Sequence, residues 1–394
     1  MHNRYYSYIN TAISVIAQYD GKVPLAVYMK QFFAAAKKYG SKDRKQISAL
    51  CYHYYRVAKI LPDQPNESQL QMASFLCEHQ PSVLLENLQP TWNEHIGDYV
   101  NEKKDILNIR FDNKDLFPFR DALSKGVDEE AFALSFLQQP KLFLRLRKGY
   151  DKLVIPKLKA IAVAVEQIDA QCIAMPNGTK VDEELQIDKE AVIQDYNSQQ
   201  VGKVIQAQIP ASGTSISLWD CCAASGGKSI MLNDLFTDIQ LTVSDVRPSI
   251  LHNLKNRFQR AGIVQFQSFV ADLTSDEPIQ IPSRQKFDWV LADVPCTGSG
   301  TWSRTPEQMF FFEKASIEEY AVRQKQIVNH VVRHIKKNGY LIYITCSVFK
   351  QENEEIVAHI KQKHKLHLIH QQLLVGYDKF ADTMFVAILQ KKEG

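Results

Sequence analysis

Cys296 and Cys346 carry the strongest chemical signal in this sequence of 394 residues. Each closes an apolar, strand-like run and opens a small polar turn, in Ala292-Asp293-Val294-Pro295-Cys296-Thr297-Gly298 and in Ile344-Thr345-Cys346-Ser347. A free cysteine is by default a small buried hydrophobe, and Cys51, Cys77 and Cys172 take that reading. Two thiols at strand ends with an acid, Asp293, three residues before one of them are placed for covalent catalysis. Addition of a thiolate to carbon 6 of a pyrimidine makes carbon 5 nucleophilic. A nearby acid protonates or hydrogen-bonds the ring nitrogen, and two thiols can divide attack and release between them. Chemistry alone does not say which cysteine attacks.

A second motif, Trp219-Asp220-Cys221-Cys222-Ala223-Ala224-Ser225-Gly226-Gly227-Lys228, runs from a strand through a glycine turn into a helix. It is not a nucleotide-triphosphate loop, because the glycine required five residues before Gly227 is replaced by Cys222. The dinucleotide fingerprint is absent as well. A glycine turn in this place lets a ligand approach the start of a helix. Asp245 ends the next strand, where an acid can bind both hydroxyls of a ribose. Asp272 ends the third and could hold an adenine amino group. Acids at successive strand ends favour an adenosine-type ligand without a pyrophosphate, a description that S-adenosylmethionine fits.

These residues need a scaffold that brings strand ends together. From Ser215 onward, strand-like pieces at Ile216–Asp220, 241–245, 266–272, Phe287–Asp293 and 340–345 alternate with helical stretches, one of them over 317–337 ending at Asn338-Gly339. That alternation predicts an α/β fold with a mainly parallel, doubly wound sheet, whose ligands bind beyond the carboxyl ends of the strands. Residues 1–140 read as a helical domain. Ser41 is placed to cap a helix in which Ile47, Leu50, Cys51 and Tyr54 form an apolar stripe, and Pro62 breaks the pattern that follows. The aromatic run 52–55 is assigned to core packing. Residues 141–215 form a small α/β lead-in module, with an alternating strand at 142–147 that presents Arg145 and Arg147, a helix over 153–168 and a turn at Asn177-Gly178. Residues 216–394 form the catalytic domain.

Composition narrows the field further. Hydrophobic content of 45% suits a globular chain, and no apolar run reaches the ~18 residues of a membrane span. The first residues lack a signal core, and seven cysteines without regular spacing indicate a reducing cytoplasm. No pairing of Cys or His completes a zinc site. Residues 1–60 hold ten Lys/Arg against two acids, whereas 61–140 hold six against fourteen. Such a basic block suits a phosphate backbone, with the bases at 37–56 and the strand at 142–147 as the expected grip.

The motif set is similar to that of the Sun/RsmB family of RNA cytosine-5 methyltransferases. The resemblance rests on Asp220 to Lys228, on Asp293-Val294-Pro295-Cys296-Thr297-Gly298-Ser299-Gly300 with Arg304-Thr305-Pro306-Glu307, and on Thr345-Cys346-Ser347 with Glu352-Asn353-Glu354. It covers 141–394 well, while residues 40–56 resemble a NusB-like RNA-binding domain. It implies a Rossmann-like class I methyltransferase fold, Cys346 as nucleophile, Cys296 as the residue that aids release, and Asp293 as the catalytic acid. It implies S-adenosylmethionine bound by Cys222, Ala223, Ala224, Ser225, Gly226, Gly227, Lys228, Asp245, Asp272 and Asp293, with no metal. The expected substrate is RNA, ribosomal RNA foremost, acted on by a monomer. Transfer RNA or DNA methylation and a silent RNA-binding assembly factor are the alternatives. The chain departs from the family pattern in two places: Ser225 stands for proline, and Thr383-Met384 for the glycine-phenylalanine of Asp-Gly-Phe-Phe.

Overall fold

The computed structural model describes residues 2–61, 65–161, 164–210, 215–275, 281 and 286–392. Pro62 lies outside them. The chain divides into two compact units.

One unit comprises Met1–Asp121, Asp128–Gln139 and Thr301–Lys314. It is helical, with its longer helices at His2–Gln18, Leu25–Ala35, Ser41–Val57 and Glu67–Cys77. Ile47, Leu50, Cys51 and Tyr54 are buried, as their helical spacing predicts. The helix start differs from expectation. Gly40 is the cap, and its N–H donates to the Asp43 carboxylate at 2.9 Å, so Ser41 is already helical. Tyr55 packs within the unit against Tyr19 and Phe310, at 5.8 and 5.4 Å between ring centres. Arg56 is fully buried and donates to the carbonyls of Phe136 and Gln138. It is therefore an internal tie and cannot grip an RNA backbone.

The other unit comprises Ala122–Val127, Pro140–Gly300 and Ala315–Gly394. It contains a four-stranded sheet of β1 (Leu142–Leu146), β2 (Glu166–Gln167), β3 (Cys172–Met175) and β4 (Ala191–Ile193), antiparallel throughout in the order β2-β3-β1-β4. Strand β1 corrects the expectation of a positive outer face. Leu144 and Leu146 enter one apolar cluster and Phe143 another, so both faces are covered. Arg145 and Arg147 turn inward onto Asp234, at 2.8 and 2.6 Å. A buried charge costs several kcal/mol unless it is paired, and Asp234 pairs both. The helix expected over 153–168 is shorter, Asp151–Ala160, and β2 follows it.

The same unit holds a seven-stranded sheet of β5 (Ile216–Asp220), β6 (Ile239–Asp245), β7 (Phe266–Val270), β8 (Phe287–Asp293), β9 (Ile335–Thr345), β10 (His367–Leu374) and β11 (Met384–Gln390). Their order is β10-β11-β9-β8-β5-β6-β7, parallel from β9 to β7, with β11 antiparallel to both neighbours. Alternate residues serve two cores. Leu218, Val243, Leu291 and Ile342 face helices Gly227–Leu235 and Pro248–Ala261 through Ile230, Leu254 and Phe258. Trp219, Val290, Leu341 and Tyr343 face Ser316–Val331 and Glu354–His364 through Ile327, Val328, Ile356 and Ile360. Burial on both faces explains why these strands read as continuous apolar runs. The helix expected to reach Lys337 stops at Val331. β9 begins at Ile335, and Asn338 takes a left-handed φ of 60° where the register between β8 and β9 shifts. Among the described residues, no helix is long and apolar enough to cross a membrane.

Candidate active site

Register places the functional strand ends side by side. Asp220 lies opposite Val243 and Leu291, Asp245 opposite Val270, and Asp293 opposite Ile344. Beyond β5 the chain folds back tightly. The Cys221 N–H donates to the Leu291 carbonyl at 3.0 Å, that of Ala223 to Ser244 at 2.9 Å, and that of Gly226 to Ala223 at 2.8 Å. Gly226 has φ 80°, and a Cβ there would come within 2.6 Å of the Phe258 ring, so only glycine serves. Ser225, in place of proline, is held from outside. Arg257 donates to its hydroxyl at 2.8 Å and its carbonyl at 3.0 Å, while also pairing with buried Asp188.

A cavity of about 580 Å³ opens over these strand ends. Of the residues expected at the site, Cys222, Ala224, Asp245, Asp272, Asp293, Cys296 and Cys346 line it. Ala223, Ser225, Gly226, Gly227 and Lys228 do not. They shape the turn behind the wall, and Lys228 Nζ reaches Asp293 Oδ2 at 2.6 Å. Burial disfavours the Lys228 ammonium, but the charge and hydrogen bond of Asp293 outweigh it and hold the proton more tightly than usual. Asp245 is buried and accepts from the Ala224 N–H at 3.1 Å and from Arg247 Nε at 3.0 Å. Burial would raise its pKa, yet the bonds from Arg247 and Ala224 leave it below the ordinary value. Asp272 is exposed and accepts from the Thr274 hydroxyl and amide, which hold its carboxyl low.

The two thiols meet at the edge of this cavity, with Cys296 Sγ 3.3 Å from Cys346 Sγ. The hydrogen bond to Cys346, then burial, pushes the Cys296 thiol well above its ordinary value. Cys296 therefore keeps its proton at neutral pH. The other five cysteines are free as well, and Cys51, Cys77 and Cys172 are buried. Among the described residues, no group of three or more His, Cys, Asp or Glu is placed to hold a metal ion.

The sequence reading missed Arg247 and Arg323, which also line the cavity. It also assigned no role to Gln324 or to Glu352, which lies beneath the thiols. Arg247 sits two residues after Asp245 and was accessible to a strand-end argument, whereas Arg323 arrives from helix Ser316–Val331 and carries no local signal. Arg304-Thr305-Pro306-Glu307, part of the motif set, belongs to the helical unit, where Glu307 accepts from the Leu25 N–H at 3.2 Å.

Residues 210–385 match the family model described as 16S rRNA methyltransferase RsmB/F. The chain is 28% identical over 229 residues to ribosomal RNA small subunit methyltransferase B of Shewanella oneidensis, covering 56% of this chain and 51% of that protein. It is 30% identical over 154 residues to the protein of the same name in Citrobacter koseri, covering 39% and 35%. The chain thus spans about half the length of the first relative and about a third of the second. In fold it is similar to the crystal structure of PH0851, with a TM-score of 0.71 over 98% of both chains at 19% identity. It is also similar to NSun6 from Pyrococcus horikoshii, solved with SFG, with a TM-score of 0.56 over 68% of this chain and 97% of that one at 14% identity. The parallel sheet with its reversed edge strand is accordingly a Rossmann-like methyltransferase fold, and residues 210–385 are similar to the methyltransferase domain of the RsmB/F family.

Proposed function

We propose that this protein converts a specific cytosine of RNA, in the first place ribosomal RNA, to 5-methylcytosine through a covalent cysteine–pyrimidine intermediate. The observation that carries the reading is the pair of thiols 3.3 Å apart on the same cavity as Asp245 and Asp293. The names of the relatives, which are ribosomal RNA methyltransferases, support the substrate class.

The cavity suits S-adenosylmethionine. Its volume of about 580 Å³ is that of a cofactor site. The turn amides of Ala223 and Gly226 are spent on internal carbonyls, and Asp245 and Asp272 can accept from ribose and adenine. The cofactor would supply an electrophilic methyl group to carbon 5. Asp245, Asp272, Cys222 and Ala224 would hold it.

The chain's own residues then divide the work. Cys346 adds as thiolate to carbon 6 of the cytosine, beside a Cys296 that retains its proton. Asp293, anchored by Lys228 at one carboxyl oxygen, would carry a proton on the other and donate it to the ring nitrogen as electron density rises there. Once carbon 5 carries the methyl group, a water molecule takes its proton, and the electron pair of that C–H bond restores the ring double bond and expels the Cys346 thiolate, with Cys296 assisting release. The target base must leave its stack, at a cost of a few kcal/mol. In the helical unit, the exposed Lys37, Lys38, Lys42, Arg44 and Lys45 would contact RNA phosphates.

The test is nucleoside mass spectrometry of ribosomal and transfer RNA from cells lacking the gene, after incubation with the protein and S-adenosylmethionine. New 5-methylcytosine in ribosomal RNA is expected. Its appearance only in transfer RNA would move the substrate, and its absence from every RNA pool would refute the reading.

A further inference from the structure

We infer that Glu352 is the positioning residue that holds the two cysteines at reacting distance; the inference rests on the thiol chemistry proposed above. Glu352 is fully buried and does not line the cavity. Its Oε1 accepts from the Thr297 N–H and from Gln324 Nε2, both at 2.9 Å. Its Oε2 accepts from the Thr297 hydroxyl at 2.6 Å and from the Ser347 hydroxyl. Four donors fill the lone pairs of one carboxylate.

What those donors have in common is their place in the chain. Thr297 directly follows Cys296, and Ser347 directly follows Cys346. Pro295, on the other side of Cys296, has its carbonyl held at 3.0 Å by the same Gln324 amide that reaches Glu352. The Glu352 backbone is fixed in turn, since its carbonyl accepts from the Tyr343 hydroxyl at 2.6 Å. A single carboxylate therefore clamps the residues flanking both thiols, on two loops 50 residues apart in sequence. Other ties between the two loops are neutral, among them Ser299 to Ser347, the Val348 N–H to the Ser299 hydroxyl and the Gly300 N–H to the Cys346 carbonyl.

Glu352→Ala frees both loops. A misplacement of about 1 Å at a reacting pair costs on the order of 10²-fold in rate, so kcat should fall by about that factor. Because the cavity wall is untouched, KM for RNA and the affinity for S-adenosylmethionine should stay within about 2-fold. Glu352→Gln keeps Oε1, and the Thr297 and Ser347 hydroxyls can rotate to accept from its amide. It should recover kcat to within about 10-fold of the wild type, a rescue that loss of bulk packing would not show.

A second readout needs no methyl transfer. Diamide takes one hydrogen from each thiol and is reduced to the hydrazine, while a Sγ–Sγ bond forms between Cys296 and Cys346. The rate of that closure reports how well the thiols are held together, and it should drop at least about 10-fold in Glu352→Ala. Should that variant fail to fold, Thr297→Val removes a single donor to Oε2, keeps the backbone N–H and should slow closure in the same direction. Closure at the wild-type rate in either folded variant overturns the inference. Slowed closure in a protein that methylates no cytosine would uphold the clamp and refute the proposed reaction.

Discussion

Asp220 shows how a single buried carboxyl can make the active-site end of the sheet sensitive to pH. It is buried at the end of β5. Its Oδ2 accepts from the Ser229 hydroxyl at 2.6 Å, while Oδ1 has no hydrogen-bond partner among the described residues. Burial, reinforced by the charges of Asp293 and Asp245 against that of Lys228, raises its pKa from 3.8 to about 7. The folded chain therefore holds a proton that the unfolded chain releases. Below about pH 4 both states are protonated and the site costs nothing extra; as pH rises towards about 7 the unfolded state gains an advantage, which is complete above that value. Asp220→Asn removes the titration. Thermal melts from about pH 4 to pH 8 should show the wild type losing Tm relative to the variant as pH rises, and a constant gap would contradict the assignment. That Asp220 ends a strand was legible in the sequence. That one of its oxygens lacks a partner was not, because a hydrogen-bond deficit is a property of packing.

At the scale of elements, the seam between the end of β9 and the loop after β8 positions the chemistry. Gly300 fastens it. Its N–H donates to the Cys346 carbonyl, its own carbonyl accepts from the Thr383 N–H, and a Cβ there would lie 2.0 Å from the Thr383 oxygen. Gly300→Ala must push backbone against backbone and should cost about 3 kcal/mol in chemical denaturation; a loss under about 1 kcal/mol would show that the seam yields. Thr383, which replaces the glycine of the family pattern, is buried, and its hydroxyl accepts from the Gly376 N–H at 3.2 Å. The substitution is absorbed inside the unit, away from the cavity wall. β5 and β8 were legible to their last residue, because apolar runs buried on both faces end abruptly at an aspartate. β10 and β11 were not, since the polar edge pattern of His367–Leu374 carries little strand signal. Arg145 and Arg147 misled the reading for a related reason. Alternation of apolar and basic residues normally marks a wet face, and their partner Asp234 lies 89 residues beyond Arg145.

For the whole molecule, charge decides what can meet RNA. Arg56 in the helical unit and Arg145 and Arg147 in the other are consumed internally, whereas Lys37, Lys38, Lys42, Arg44 and Lys45 form an exposed basic cluster. Replacing Lys37, Lys38, Lys42 and Lys45 together by alanine should weaken RNA binding at low salt and flatten the plot of log affinity against log salt by roughly one unit per lost phosphate contact. An unchanged slope in a filter-binding titration would place the RNA elsewhere. Charge counting singles out a basic segment, and only the folded chain separates its exposed cations from its buried ones. The fold class and the cavity-lining acids followed from strand–helix alternation. The clamp beneath the thiols did not, because its members come from four separate stretches of sequence.

The central claim, that Cys346 attacks and Cys296 releases, is tested most directly by trapping the adduct. RNA containing 5-fluorocytosine cannot give up the substituent on carbon 5, so the enzyme should remain bound to it after incubation with S-adenosylmethionine. Digestion and mass spectrometry should then place the nucleotide on the peptide that carries Cys346. Cys346→Ser should give no adduct, and Cys296→Ser should accumulate one even with ordinary RNA. An adduct mapped to Cys296, or one that survives in Cys346→Ser, would contradict the account.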